Sequence, residues 1–329
     1  MGAAKAHTSP MSTAPTTSLI PEKSSRLPNI AFKWAAGMAA GMIIVLIIFV
    51  GWELYVGSRA AVVKFGPGFL WSTEWDPVND KYGALPFIFG TLVSSLLALI
   101  IAVPLGVATA LFLTELAPLK ARQPIVMAIE MLAAVPSVIF GLWGFFVLIP
   151  WLRDHLFVWL KHTLGFLPLF QGPIYGVSML AAGIIIAIMI LPIITSISRE
   201  ILRSVPNLQR EAAYALGATR WEVLRIAVLS YARRGLFGAA ILGLGRALGE
   251  TMAVTMVIGN RPQISASLFA PGYTLASVIA NEFTEATTDL YLSSLFELGL
   301  VLLAVTILVN VAAQVMLKSI TGTGPIKVF

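Results

Sequence analysis

Cysteine is absent from this 329-residue chain. Its absence excludes disulfides, thiolate metal sites and cysteine nucleophiles, and leaves no thiol from which to read a redox compartment. Charge is the second shortage. Asp, Glu, Lys and Arg make up 12% of the residues, where an ordinary soluble domain carries about 25%. So few charges cannot clothe a water-facing surface, and a hydrophobic content of 58% equally excludes global disorder. The apolar side chains must face lipid. Histidine is scarce too: His7 lies near the start, while His155 and His162 stand in an expected outer loop without a cysteine nearby. That spacing makes no metal site, and both loop histidines read as solvated. Nor does any Gly-x-x-x-x-Gly-Lys-[Ser/Thr] loop occur, so a process driven by ATP would take it from another subunit.

What the sequence holds instead is long apolar runs. Six stretches, 34–56, 85–113, 125–150, 174–198, 236–258 and 295–317, are mostly apolar and reach the roughly 20 residues that a spanning helix needs. They predict an all-α membrane protein of six transmembrane helices. Pro104, Pro136 and Pro192 predict bends within the bundle, where neighbours re-satisfy the freed carbonyls. Residues 1–33, rich in Ser, Thr, Pro and Ala, read as a disordered tail. Residues 34–320 make the membrane domain and 321–329 a C-terminal tail. The first stretch exceeds the roughly 7–15 residues of a signal-peptide core, so it reads as a retained anchor.

Orientation follows from the basic residues. Of the 22 Lys and Arg residues, 15 fall in segments on the side of the N-terminus, six on the other side, and one, Arg246, inside a span. The positive-inside rule then puts both termini in the cytoplasm. The net charge of +6 is a sum of these topology signals. It is not a basic stripe beside aromatic platforms, which argues against a nucleic-acid partner. Trp34, Trp52, Trp143 and Trp151 fall near expected span ends, as interfacial anchors do.

The longest inner loop, 199–234, has structure of its own. Pro206-Asn207 breaks the preceding helix, and Leu208, Ala212, Ala215 and Leu216 recur at helical spacing. Gly217 stops that helix, as glycine does just past a C-terminus. Thr219 and Glu222 form a capping box for a second short helix expected to end near Leu229. Glu211-Ala212-Ala213, then Gly217, then Val228-Leu229, resembles the EAA motif of ABC-importer permeases. The resemblance implies an ATPase-coupling loop whose helix docks on a cytoplasmic ATPase subunit. The family pattern ends in Ile-x-Leu-Pro, whereas Ala227 and Ser230 stand at the Ile and Pro positions here. The small alanines suit close approach to a partner, and Gly217 permits a turn closed to residues with a Cβ. Glu211 and the surrounding arginines would pair across the interface.

Arg246 lies about ten residues, or about 15 Å, into the fifth span. An arginine there costs roughly 2.5–3.5 kcal/mol on insertion scales, so something must compensate it. Glu250 at i+4 is the nearest acid on the expected helix. Two readings stand side by side: a buried pair holding the bundle together, or a polar lining of the substrate pathway. For an anion, a guanidinium fork meets two oxygens of a tetrahedral oxyanion at once. Glu130 and Glu297 enter other spans. Gly245 and Gly249 fit a close helix contact. The outer acids Glu74, Asp76, Asp80, Glu282, Glu285 and Asp289 read as solvated, or as contacts for an extracytoplasmic protein.

Residues 244–254, Leu-Gly-Arg-Ala-Leu-Gly-Glu-Thr-Met-Ala-Val, carry a second resemblance. With 82–91, 130–144 and Trp75-Asp76-Pro77, they look like the PstC-type permease subunit of phosphate-specific ABC importers, of the binding-protein-dependent inner-membrane component family. The similarity covers about 65–317. It implies a type I (MetI-like) permease fold in a bacterial inner or plasma membrane, without catalysis of its own. Arg246 and Glu250 would then serve phosphate passage. The implied partners are a second, related permease, a cytoplasmic ATPase dimer that binds the ATP and Mg, an extracytoplasmic phosphate-binding protein, and membrane lipid. The competing readings are a permease for sulfate or molybdate, and an ion-coupled secondary transporter.

Overall fold

The computed structural model describes residues 26–321, with side chains over 32–317. Most of both expected tails (1–25 and 322–329) lies outside the described residues. Besides two single 3-10 turns (Pro77–Asn79 and Pro168–Phe170), the described residues form twelve helices and no strand. They are α1 (Arg26–Gly57), α2 (Arg59–Phe65), α3 (Gly68–Trp71), α4 (Leu85–Leu116), α5 (Leu119–Ala133), α6 (Ser137–Leu164), α7 (Met179–Arg203), α8 (Asn207–Ala215), α9 (Arg220–Leu248), α10 (Met252–Val257), α11 (Leu275–Glu282) and α12 (Asp289–Thr321). Helices α1, α4, α6, α7, α9 and α12 are long and apolar enough to cross a membrane. Two units divide the chain, residues 1–50 and 51–329. In the first, the side chains of α1 from Phe32 to Val50 are exposed all but at Gly41, the all-round apolar surface of a helix meant for lipid.

The second unit is organised around α7, whose apolar window is 67% buried against 28% or less in the other spans. Helix α4 packs along it over most of its length. Small residues make that contact close, as membrane helices require when lipid tails are as apolar as the partner. Ala98, Ala102 and Gly106 of α4 and Gly183 of α7 are buried. Helix α9 crosses the same core with Gly243 against Ile194 and Gly235 against Ile201. These glycines make the close contact expected of Gly245 and Gly249, which pack against no other helix among the described residues.

Two expected spans are redrawn. The stretch 125–150 is not one helix: Pro136, with no N–H and an extended backbone at φ −58° and ψ 141°, ends α5 and starts α6. The spanning helix is α6, reaching Leu164, so His155 and His162 are helical and not in a loop. His155 is exposed and stacks on Trp151. The stretch 236–258 also breaks. Helix α9 stops at Leu248, and α10 follows after Gly249-Glu250-Thr251. At its N-terminal end α9 begins at Arg220, so the second loop helix does not end near Leu229 but continues into the fifth span.

The segment after α10 folds back onto the bundle. The Met179 and Leu180 amides donate to the Ala270 and Leu268 carbonyls, and Ser178 caps α7 by accepting from the Ala181 amide. Gly90 of α4 lets this segment approach, because a side chain there would collide with the Tyr273 carbonyl. Next to it the Thr91 hydroxyl accepts from the Leu275 amide at 2.9 Å.

Candidate functional site

Arg246 sits in the last turn of α9 and Glu250 in the break beyond it. They are not on one continuous helix face, yet they meet: Nη2 of Arg246 is 3.7 Å from Oε2 of Glu250. The two differ in surroundings. The Arg246 side chain is 51% exposed and that of Glu250 only 6%. Glu250 is held by the start of α10, where its Oε1 accepts from the Ala253 amide at 3.5 Å. A separation of 3.7 Å is about 1 Å longer than a fork-to-carboxylate hydrogen bond. The guanidinium is therefore engaged but not consumed, and it lies on an open face with Gly245 and Gly249.

The residues of the expected coupling loop are positioned by α8. Glu211, Ala212 and Gly217 are exposed and Ala213 half-buried. Gly217 takes φ +81° with open space where a Cβ would stand, so its backbone, not crowding, requires glycine. The Ala218 amide returns to the Ala213 carbonyl and closes the helix. The Thr219–Glu222 capping box forms as expected: the Thr219 amide donates to Glu222 Oε2 at 2.8 Å, and Thr219 Oγ1 accepts from the Glu222 amide. Around this turn Leu208, Tyr214, Leu216 and Trp221 are exposed.

One anchor of this loop is not legible in the motif. Arg210, the residue before Glu211, points inward. Its Nη2 donates to Glu115 Oε1 at 2.8 Å and to the Leu202 carbonyl, and its Nη1 donates to the Val205 carbonyl and Asn207 Oδ1. Both side chains are 18% exposed. Arg220 adds a bond to the Glu115 carbonyl at 2.8 Å. Helix α8 is thereby pinned to the ends of α4 and α7. Glu115 lies 95 residues away from Arg210 in sequence, which is why spacing does not reveal it. Arg210 thus pairs within the chain and not across an interface.

The acids expected on the outer side are not all solvated. Glu282 Oε2 accepts from Trp75 Nε1 at 2.8 Å and from the Tyr291 hydroxyl at 2.7 Å. Trp75 and Tyr291 belong to an aromatic cluster with Tyr82 and Phe87. Burial pushes the Tyr273 and Tyr82 hydroxyls above the usual tyrosine range. Asp76 builds a turn, accepting from the Asn79 side chain and the Val78 and Asn79 amides. The Asn79 side-chain amide, with those backbone donors, holds its carboxyl below the ordinary value. Glu74 pairs with Lys81 at 3.0 Å. Glu297 is buried in α12, and its Oε2 has no partner among the described residues.

A family model for the inner membrane component of binding-protein-dependent transport systems matches residues 102–321. The chain belongs to that family. Among its relatives, the phosphate transport system permease protein PstC of Mesorhizobium japonicum is 49% identical over 89% of this chain and 91% of its own length. The PstC of Xylella fastidiosa is 48% identical over 87% of this chain and 89% of its own length. A probable PstC of Methanocaldococcus jannaschii is 35% identical over 87% and 93%. Among solved structures, an inward-facing MetNI methionine ABC transporter covers 73% of this chain and 95% of its own, at 18% identity and a TM-score of 0.49. As a member of this inner-membrane permease family the chain is a multi-pass protein of the bacterial plasma membrane and a non-catalytic transport subunit. The family match runs from within α4 to the end of α12 and takes in both the Arg246 pair and the α8 turn.

Proposed function

We propose that this chain is the transmembrane permease subunit of an ATP-driven phosphate importer, lining the pathway together with a second, related permease. The observation that carries the reading is the near-half identity to PstC permeases over nine-tenths of the chain. The Arg246 geometry supports a pathway role over a structural pair. A half-exposed guanidinium 3.7 Å from its acid keeps donors for an oxyanion, whereas a pair closed at hydrogen-bond distance would not.

The same pair supports phosphate over sulfate or molybdate. A carboxylate only accepts hydrogen bonds. Phosphate near neutral pH keeps at least one proton that it can donate to Glu250. Sulfate has none, and would meet Glu250 as a like charge. Discrimination would then rest as much on this repulsion as on the attraction of Arg246. A secondary transporter would have no use for a rigidly pinned, outward-facing α8 turn.

Coupling would run through Glu211, Ala212, Ala213 and Gly217. The exposed apolar side chains around α8 offer a surface to a cytoplasmic ATPase dimer, which would hold the ATP and Mg, and Arg210 would carry its displacement to α4 and α7. An extracytoplasmic phosphate-binding protein would deliver substrate to the outer face. The excess of Lys and Arg on one side supports cytoplasmic termini. Uptake of radiolabelled phosphate, competed with sulfate, in vesicles carrying the full complex tests the reading. Saturable, ATP-dependent uptake indifferent to sulfate is expected. Equal competition by sulfate would sink it.

A further inference from the structure

A second arginine sits within the bundle with donors unspent. Arg199, one turn before the end of α7, has a side chain only 14% exposed. The carboxylate nearest to it is Glu130 of α5, at 3.7 Å from Nη2, the same loose separation as between Arg246 and Glu250. Its Nε is buried and meets no acceptor among the described residues. One turn earlier, the Thr195 hydroxyl is likewise buried and unpartnered. Arg199, Thr195, Ser196 and Glu130 line one narrow cleft between α5 and α7. That cleft shares Ile129, Glu130 and Ser196 with an adjoining depression of about 290 Å³ behind Pro192. Buried donors are ordinarily satisfied. The cleft itself has room for about one water, about 10 Å³, and the Thr195 hydroxyl lies against Gly106 of α4; the space for a larger group is the adjoining depression, which Glu130 and Ser196 also line, with Arg199 beside Glu130.

The depth of this cluster relative to Arg246 follows from helix packing. Gly243 lies against Ile190 and Ile194, and Gly235 against Ile201, so α9 runs antiparallel to α7. Arg246 is then level with about residue 189, and Arg199 lies about ten residues, or about 15 Å, nearer the cytoplasmic end. Glu130 is 60% exposed, so the cleft opens outward from the bundle.

We propose that Arg199, Ser196 and Glu130 form a second oxyanion station, inward of Arg246 on the substrate path. Its ligand class is a tetrahedral oxyanion that still carries a proton. Arg199 donates to two oxygens, the Ser196 hydroxyl donates to another, and Glu130 accepts the anion's own hydroxyl. Sulfate, fully deprotonated, leaves Glu130 facing uncompensated negative charge. Two stations of like composition let the anion pass from one guanidinium to the next, each holding it loosely enough to release. This rests on the reading of the chain as a phosphate permease.

The test uses the full complex with its ATPase and binding protein in proteoliposomes, and phosphate and sulfate as probes. Arg199→Met should cut phosphate uptake at least tenfold while the ATPase still co-purifies, and Arg199→Lys should restore part of it. Glu130→Gln, at an exposed position that folding tolerates, should let sulfate compete with phosphate where it does not in the parent. Uptake within about twofold of the parent in Arg199→Met, or unchanged sulfate exclusion in Glu130→Gln, overturns the proposal. If Arg199→Met does not assemble, the Glu130→Gln selectivity decides alone. A parent complex that carries no phosphate would instead overturn the permease reading, and Arg246→Ala, run alongside, separates the two stations.

Discussion

At the scale of single residues, the arrangement is governed by how far each ionic group is spent on its neighbour. Glu282 is fully used, accepting from Trp75 and Tyr291. Glu282→Ala would leave two donors of the aromatic cluster without an acceptor, at about 2 kcal/mol or more. The purified complex should therefore melt several degrees lower, with transport at low temperature preserved. Tryptophan fluorescence during heating would record it, and an unchanged melt would deny the cluster its structural role. Arg246 is the opposite case. Replacing it by alanine removes a charge-assisted donor pair of about 1.5–3 kcal/mol, so phosphate uptake should fall about 10- to 100-fold while the complex assembles. Normal uptake by assembled Arg246→Ala would end its pathway role. Arg246 and Glu250 were legible in the sequence because charge inside an apolar run is costly wherever the helix ends. Their unequal exposure was not, since it depends on α10 closing over Glu250 alone.

At the scale of elements, turn chemistry read well and helix ends less so. The Thr219–Glu222 box and the Gly217 stop are local, set by residues within four positions, and both formed. The ends of α9 depend on tertiary contacts and on three residues, Gly249 to Thr251, that leave the helix; a hydropathy run has no means of recording either. Pro136 was visible in the sequence but read as a bend, whereas it divides two helices. Gly217→Val forces a β-branched side chain to φ +81°, at a cost on the order of 1–3 kcal/mol. The turn should rearrange, and ATP hydrolysis should lose its dependence on transport or the ATPase should no longer co-purify. Coupling as tight as in the parent would remove the docking role of α8. Arg210→Glu and Glu115→Arg should each weaken coupling, and the two together should restore part of it, with an interaction energy of about 0.5–3 kcal/mol. Simple additivity in that cycle would show that the pair carries no load between α8 and α4.

At the scale of the molecule, the face of residues 51–329 that bears Arg246 is left open. Gly245 and Gly249 meet no side chain of another helix among the described residues, although such glycines in membrane helices ordinarily seat a neighbour. Produced without its second permease, the chain should be degraded faster and elute as aggregates in mild detergent, and co-expression should rescue it. Size-exclusion profiles of a fluorescent fusion would compare the two, and identical profiles would argue against an obligate pair. The six spans and the all-α class were readable from composition because lipid leaves few alternatives. Which faces remain open was not readable, since it is decided by helix packing.

The interruption between α9 and α10 has one more consequence. Arg246 occupies the C-terminal end of one helix, where backbone carbonyls carry partial negative charge, and Glu250 the N-terminal end of the next, where amides carry partial positive charge. Each ion is thus steadied by the dipole of a different helix. Neither depends on the other alone for stabilisation, which is the condition under which a broken helix can hold a passing ion. A continuous helix through 249–251 would leave the two ions dependent on one another, with nothing spare for a third.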